Sequence, residues 1–380
     1  MLQLPKIIRR VLSVRISLLV VSAMAILLMA SMVVMLYYSR KAVKEEATQK
    51  AQQTLDCTIY TIDNILLSVE QTTGNIFWSM MTQLNNQDMM FTYARKLVET
   101  NPYVAGCAIA YNPNYTKDGK PFMAYMHRAD SAGVAYAAPE IVSDDKFADS
   151  PYTEQIWYTE PMKTGKARWL NPLKGMESEE APIITFSLPI SSGTDQKPVG
   201  VIGVDVSLSL LSEIVAKSKP SKNSYCTLID NEGTFIVHPI SNKLMNKAVQ
   251  MVKEESAKEA AETVMSGKTG YKSFNMDGND FYVFYKPFKR IAVPGRTTED
   301  LGWNASIIYP EDDIFGDYND LSYYVLVIAI IGLLLSFVIS TSVIHWQLKP
   351  LLMLMGCSVG LTGKPSNVIS QASLTQTLYI

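Results

Sequence analysis

Three side chains in the middle of the sequence have the chemistry to bind a small molecule. Trp157 and Tyr158 offer flat apolar surface with an N–H and an O–H donor, which together can stack on a ligand and orient it. Asp205 ends an apolar run that is typical of a strand, and its carboxylate could hold a cationic group. Each has a structural alternative: large aromatics often close a sheet edge, and an aspartate between a strand and a helix can cap that helix.

Three more side chains are candidates for the same pocket on weaker grounds: Trp169, Tyr125 and Arg128. Arg128 could supply an anion clamp from a neighbouring strand. For Arg128 and Trp169 a structural role is the favoured alternative. The candidate binding set therefore contains six residues.

The residues that enzymes use are sparse in this chain. It has three histidines, His127, His238 and His345, and no HExxH, GxSxG or GxxxxGK[ST] motif. The GKTG stretch at 267–270 lacks the preceding glycine of a phosphate-binding loop and is predicted to be a turn. Paired carboxylates at 144–145 and 179–180 fall in polar loops. We predict no catalytic residue, no metal site and no cofactor, and an anchored ectoenzyme is a minor alternative.

Two apolar runs are long enough to cross a bilayer. Residues 16–38 carry no charge, and in residues 323–345 the terminal histidine is the only side chain that can be charged near neutral pH. About 20 helical residues span a hydrocarbon core of about 30 Å. A signal peptide is the alternative for the first run, but its apolar core would be about 7–15 residues and a cleavage site should follow.

The charges beside these runs predict how the chain crosses the membrane. Four basic residues and no acidic residue precede the first run, whereas five acidic residues precede the second. Positive charge favours the cytoplasmic side. Both ends, 1–15 and 346–380, are therefore predicted inside, and 39–322 outside. The protein is predicted to cross the cytoplasmic (inner) membrane twice, with lipid as a partner and an extracytoplasmic or periplasmic domain.

Composition agrees with a folded outer domain and two spans. Charged residues make up 18% and apolar residues 48%, and the formal net charge is −2. Such a balance gives no electrostatic reason to expect nucleic acid as a partner. The cysteines form no CxxC motif, and Cys107 and Cys226 lie in apolar strand-like runs, where a buried free thiol is expected.

The outer segment begins with a predicted long helix. No proline occurs between Pro5 and Pro102, and apolar residues recur mostly at steps of three or four. They form one stripe: Val43, Ala47, Ala51, Leu55, Ile59, Ile62, Leu66, Val69 and Ile76. We predict that the half nearer the membrane pairs with a second subunit in a homodimer and that the rest packs on its own domain. The alternative is that the whole stripe packs on its own domain.

Two blocks of strand-like segments follow the helix. The first includes VAGCAIAYN, PFMAYMHRAD, APIITFSLPISS and KPVGVIGVDVSL, and the second begins with a hairpin, SYCTLID–NEG–TFIVHP. A second hairpin is predicted around Asp277 and Gly278. LSLLSEIVAKSK, capped by Ser207, is predicted to be the connecting helix. The predicted fold is α+β: a long helix and two antiparallel-sheet lobes in series, distal at about 90–206 and proximal at about 222–310.

These segments carry a family resemblance. YTEQIWYTEPMKTGKARWLNP, APIITFSLPISS and GVIGVDVSLSLL, in that order, resemble the signature of double Cache domains, extracytoplasmic sensor modules of bacterial receptors with PAS-like lobes. SYCTLIDNEGTFIVHP resembles the opening of the second lobe. The resemblance covers about 40–320 and implies a ligand pocket in the distal lobe. In amino-acid-binding members the aspartate that matches Asp205 binds the ligand's amine.

Two positions depart from the amino-acid-binding pattern. Gln155 stands where such members have an arginine that holds the ligand's carboxylate, and Leu173 stands near the place of an expected tyrosine. An ordinary α-amino acid is therefore not the expected ligand. After the second run, QLKPL at 347–351 resembles the start of a HAMP linker, but residues 351–380 carry a single charge, Lys364. We expect a disordered tail and a truncated or frame-shifted receptor, or a fragment of one.

The sequence thus predicts a membrane-bound signal-transduction receptor of the two-component type. It would sense a small extracytoplasmic ligand and signal through the second span to a HAMP and output module. The resemblance implies a histidine kinase or a serine/threonine phosphatase as output, missing from these residues. A membrane-anchored structural or assembly protein without a ligand is the main alternative, and a distal lobe filled by its own side chains would favour it.

Overall fold

A computed structural model describes residues 6–116, 118–129, 140–143, 151–172, 182–192, 197–294, 296 and 299–362. The chain forms two compact units. One combines 1–43 with 315–380, and the other contains 44–314. Six α-helices occur in the described part: α1 (Lys6–Met80), α2 (Gln87–Thr100), α3 (Ile156–Thr164), α4 (Leu208–Ala216), α5 (Glu255–Met265) and α6 (Glu311–Thr362).

The described residues of the first unit form helix, most of it apolar. Val14–Gln83 and Glu311–Ile344 are each long and apolar enough to cross a membrane, and their most apolar stretches are not buried inside the protein. Within the unit, Tyr318 donates a hydrogen bond to the carbonyl of Leu36 at 3.0 Å. Helix α6 continues to Thr362, so the prediction of disorder is wrong for 346–362. The rest of the predicted tail lies outside the described residues.

The larger unit contains two antiparallel sheets. The distal sheet has the order β3-β2-β1-β6-β5-β4. Its strands are β1 (Gly106–Tyr111), β2 (Phe122–Arg128), β3 (Ile141–Ser143), β4 (Arg168–Trp169), β5 (Ile183–Ser191) and β6 (Pro198–Ser207). Strands β1 and β6 lie at the centre, and their apolar residues explain why both are almost wholly buried. Helix α4 follows β6 and is capped, as predicted, by the Ser207 hydroxyl, which accepts from the Leu210 amide.

The proximal sheet has the order β8-β7-β11-β10-β9. Its strands are β7 (Tyr225–Ile229), β8 (Phe235–Val237), β9 (Gly270–Met276), β10 (Asn279–Pro287) and β11 (Asn304–Pro310). The predicted β7–β8 hairpin is present. The predicted turn between β9 and β10 is also present, with φ of 51° at Asp277 and 78° at Gly278, the left-handed pair that a tight hairpin requires. The predicted α+β class is confirmed.

Helix α1 places its apolar stripe against its own domain. From Ala47 to Ile76 the predicted stripe residues are buried within the single chain, including Ala51 and Leu55 near the beginning of the compact unit. The prediction that this half of the stripe binds a second subunit is therefore wrong, because these residues are already buried within the chain itself. A pattern of apolar residues shows that a face is buried but does not identify what covers it.

A buried cluster of four charges joins α1 to the segment that connects β10 and β11. Arg296 contacts Asp63 at 2.6 Å and Glu70 at 2.9 Å, and Arg290 also pairs with Glu70. The four side chains are between 1% and 10% exposed. The amide of Ile291 donates to Asp63 at 2.8 Å. Two carboxylates and two guanidinium groups balance in charge, which makes their burial tolerable.

The cysteines confirm part of the thiol prediction. Cys57, Cys107 and Cys226 are free among the described residues, and the last two are buried. Burial raises the pKa of the Cys107 thiol, and the charge of Asp205 raises it further. Burial also raises the pKa of Cys226 to about 11. Both thiols therefore remain protonated and unreactive at neutral pH.

We predict that Asp63→Ala lowers the free energy of unfolding by about 3–5 kcal/mol, because it leaves two buried guanidinium groups with a single carboxylate. Urea unfolding of the full chain in detergent, followed by tryptophan fluorescence, measures the change. Glu232→Ala is the control, since it breaks the exposed Lys247–Glu232 pair and should have little effect. Equal stability losses in the two variants would contradict the assigned role of the cluster.

Candidate ligand-binding site

One face of the distal sheet carries most of the predicted binding residues. Strand alternation places Gly106 and Ala108 of β1 on this face, beside Gly203 and Asp205 of β6, which are their register partners. These residues are small except for the aspartate. A side chain at Gly106 would meet the Tyr125 hydroxyl at 2.7 Å, and one at Gly203 would meet the Trp157 ring at 2.9 Å. The absence of side chains thus lets the aromatic groups approach the sheet.

Asp205 lies on the sheet and does not cap helix α4, which uses Ser207. It is 8% exposed. Its Oδ1 accepts from the Thr185 hydroxyl at 2.7 Å, and its Oδ2 accepts from the Tyr125 hydroxyl at 3.4 Å. Hydrogen bonds to a carboxylate favour its ionised form, so these two donors stabilise a negative charge at the sheet surface.

Helix α3 covers this face with aromatic side chains. Trp157 lies over Gly203, and its indole N–H donates to the Gln155 side-chain oxygen at 2.6 Å. Tyr158 packs in the same cluster with Tyr152, whose hydroxyl donates to the Tyr111 carbonyl at 2.6 Å. Burial raises the pKa of Tyr158, so its hydroxyl remains a neutral donor. Both predicted aromatics are thus held beside the same sheet face, each about 5% exposed.

Polar groups extend this face beyond Asp205. Tyr125 stacks on His127, with ring centroids 5.5 Å apart, on strand β2. On β5, Ser187 is fully buried, and its hydroxyl has no hydrogen-bond partner among the described residues. Ser187 is the register partner of Gly203, the residue under Trp157. A buried hydroxyl without a partner is unfavourable, which makes this position a candidate contact for a ligand.

Trp169 lies on the other face of the sheet. It pairs with Phe186, which alternates with the polar residues of β5, and the two rings are 5.3 Å apart. Its indole N–H donates to Glu70 of helix α1 at 2.6 Å. The predicted role in the pocket is therefore corrected: Trp169 connects the distal sheet to the buried charge cluster.

Arg128 also lies away from the predicted pocket. Its guanidinium donates to the carbonyls of Val98 at 2.5 Å and Asn101 at 3.2 Å, at the end of helix α2, and to that of Val104. Carbonyl groups at a helix C-terminus lack partners within the helix and attract a cation. The predicted anion clamp is corrected to a C-terminal cap of α2, because these carbonyls already occupy the guanidinium.

The predictions missed Thr185 and Ser187. Their polar positions alternate with Ile184 and Phe186 along β5, and period-two alternation would have placed them on the face of Asp205. The segments 130–139, 144–150 and 173–181 lie outside the described residues. The predicted departure at Leu173 and the paired carboxylates at 144–145 and 179–180 fall within them.

Comparisons with known proteins match most of the chain. The family model of the Cache domain matches residues 39–318. A methyl-accepting chemotaxis protein of Pseudomonas aeruginosa, PctB, is 22% identical over 233 residues. That match covers 61% of this chain and 34% of the relative, so the chain spans about a third of the relative's length.

Solved structures share the fold. The extracellular domain of a histidine kinase, mmHK1S-Z3, aligns with a TM-score of 0.53 at 16% identity, over 73% of this chain and 97% of that one. The ligand-binding domain of Mlp24 with asparagine aligns with a TM-score of 0.50 at 15% identity, over 74% of this chain and 98% of that one. The ligand-binding domain of the Campylobacter jejuni chemoreceptor Tlp3 with 4-methylisoleucine aligns with a TM-score of 0.50 at 15% identity, over 72% of this chain and 94% of that one.

We predict that Gly203→Ala destabilises the protein by about 1–3 kcal/mol, because the new methyl group overlaps the Trp157 ring and overpacks the site. Urea unfolding and the tryptophan emission maximum measure the effect in the full chain. Gly74→Ala in helix α1 is the matched control, since its methyl group meets no neighbouring atom. That change should raise the free energy of unfolding by about 0.5–1 kcal/mol. Unchanged stability and emission in Gly203→Ala would contradict the described contact.

Proposed function

The chain belongs to the Cache domain family, and from that premise we propose that it is the sensing part of a membrane-bound receptor whose distal lobe binds a small amine. The proposal rests on one observation above the others: Asp205 is a buried carboxylate on a floor of small residues, beneath aromatic rings. The receptor proposal assigns no catalysis to these residues.

The surroundings of Asp205 suit a cationic group. Thr185 and Tyr125 donate to its oxygens and stabilise the charge. An ammonium group would add charge-assisted hydrogen bonds, which are roughly twice as strong as neutral ones. The rings of Trp157 and Tyr125 lie close to the same sheet face and could contribute cation–π attraction. A small amine therefore matches both the charge and the shape of this face.

The described residues give less support for a zwitterionic ligand. Arg168 shares this face, but its guanidinium is bound by Glu160 at 2.9 Å and Glu299 at 2.8 Å. Gln155 replaces the arginine of amino-acid-binding members, and its side-chain oxygen accepts from Trp157. An amine without an α-carboxylate is accordingly the ligand class that we propose. The Mlp24 and Tlp3 domains were solved with asparagine and 4-methylisoleucine, respectively. Amino acids are therefore included beside the amines in the binding experiment below.

Signal transfer is the second part of the proposal. The two apolar helices would anchor the chain in the lipid of the cytoplasmic membrane, with 39–322 outside. Strand β11 ends at Pro310 and α6 begins at Glu311, so no loop separates the proximal sheet from the second span. We propose that ligand binding in a homodimer shifts α6 and thereby an output module of histidine-kinase or phosphatase type. The shift is limited by the ligand's differential affinity for the two states.

A structural protein without a ligand is the competing function. Its support is the burial of Trp157 and Tyr158 in a cluster with Tyr152 and Leu170, which resembles an ordinary core. Ser187 favours the receptor instead, because a purely structural core gains nothing from a buried hydroxyl without a partner. Ligand binding at Asp205 distinguishes the two functions.

We predict that a library of small amines contains compounds that raise the melting temperature of the full chain in detergent, and that Asp205→Asn abolishes the rise. A ligand that binds only the folded state raises the free energy of unfolding by about 2.7 kcal/mol at a concentration of 100 Kd. The asparagine variant keeps the shape of the side chain and removes its charge. α-Amino acids in the same library should give smaller shifts, because they add an unpaired carboxylate.

Asp230→Asn is the matched control for this experiment. Asp230 is a buried aspartate of the proximal lobe that accepts from the amides of Glu232 and Thr234 in a turn. Its replacement should lower the starting melting temperature and retain the amine-induced rise. A library without any stabilising amine, or equal amine shifts in the parent and Asp205→Asn, would favour the structural alternative.

A further inference from the structure

The proximal lobe contains a cavity of its own. It lies between helix α5 and the proximal sheet and has a volume of about 80 Å³. Most of its lining is apolar, with side chains from α5, from the sheet and from the 248–252 segment. Representative lining residues are Ile229, Phe235, Ala260, Val264, Phe274 and Val283. Apolar walls with a few polar groups among them are typical of small-molecule sites.

Two hydroxyl groups lie in the apolar floor of this cavity. Thr227 of β7 and Ser306 of β11 are register partners, and their oxygens are 2.7 Å apart. Both side chains are almost fully buried and line the cavity. Their contact uses one of the two hydroxyl protons, and the described residues provide no acceptor for the other. The floor therefore presents a hydrogen-bond donor to the cavity.

His238 contributes a second donor. Its Nδ1 accepts from the Ile240 amide at 3.0 Å. Burial, with a smaller effect from Lys243, lowers the pKa of His238 to about 4, so the ring is neutral at ordinary pH. A neutral ring that accepts at Nδ1 carries its proton on Nε2 and donates there. Burial raises the pKa of Tyr225 to about 12, so its hydroxyl also remains a donor.

The charges around the cavity have one sign. Lys243 is half-buried and lines the cavity, whereas no aspartate or glutamate occurs among the lining residues in the described part of the chain. The polar groups are thus hydroxyls, a neutral histidine and an ammonium group, all able to donate. A ligand that satisfies them must accept hydrogen bonds and carry negative charge, while its body must be apolar.

We propose that the proximal cavity binds a small monocarboxylate with an apolar chain or ring, as a second input separate from the amine site at Asp205. Its carboxylate would pair with Lys243 and accept from the Thr227–Ser306 pair or from His238. Its body would contact the aliphatic and aromatic wall under α5. Because β7 and β11 form the floor and β11 leads directly into α6, this ligand would contact the last strand before the second span.

Binding of isovalerate and benzoate to the full chain in detergent tests the proposal, with isovaleramide and benzamide as neutral analogues of the same shape. Isothermal titration calorimetry should give saturable binding of the acids, about tenfold or more tighter than that of the amides, since a hydrogen-bonded charge pair distinguishes them. Lys243→Met should remove that preference. Lys258→Met is the control, because Lys258 lies on helix α5, which covers the cavity, but pairs with Glu255 and is not a lining residue.

A cavity-filling variant locates the bound acid. Ala260→Leu adds volume to the α5 wall and should weaken both acids and amides by about tenfold or more, while a retained melting temperature shows that the fold persists. Absence of saturable acid binding would overturn the proposal, as would acid binding that is unchanged in both Lys243→Met and Ala260→Leu. Asp205→Asn separates the two sites: acid binding lost in that variant would place the acid in the distal lobe and overturn the second site.

Discussion

The paired charges of Asp63, Glu70, Arg290 and Arg296 hold the three parts of the compact unit together. The two carboxylates come from helix α1, and the two guanidinium groups come from the segment between β10 and β11. Trp169 of the distal sheet donates to the same Glu70. Replacing such a cluster entirely by apolar residues is often tolerated in proteins, whereas removing one member leaves a buried charge. Its effect here is therefore to fix geometry: each sheet keeps a defined position along α1.

The two sheets use this framework in similar ways. Each turns one face toward a covering helix, α3 in the distal lobe and α5 in the proximal lobe, and each places hydroxyl groups within that face. The charges differ. The distal face is centred on the carboxylate of Asp205, and the proximal cavity has Lys243 as its charged group. Lobes of one architecture can therefore present opposite charges through a few side chains on otherwise apolar surfaces.

Local features of the chain were predictable because they depend on interactions between residues that are close in sequence. The turn at Asp277–Gly278, the cap at Ser207 and the burial of the α1 stripe each follow from a few neighbouring residues. The pattern could not show which surface covers the stripe, because a second subunit and the rest of the same chain would bury the same residues. Likewise Arg128 caps α2 and Trp169 joins Glu70 because of contacts between distant segments. Thr185 and Ser187 could have been found from strand alternation alone.

The members of the charge cluster are far apart in sequence, and they are therefore translated at different times. Asp63 and Arg296 are 233 residues apart, so the carboxylates of α1 leave the ribosome long before their partners exist. At translation rates of about 5–20 residues per second, that interval lasts about 10–50 s. During it the buried face of α1 has neither its countercharges nor its second sheet. The apolar face of α1 is therefore exposed in the nascent chain during this interval, and the domain completes its core only when the last strands emerge.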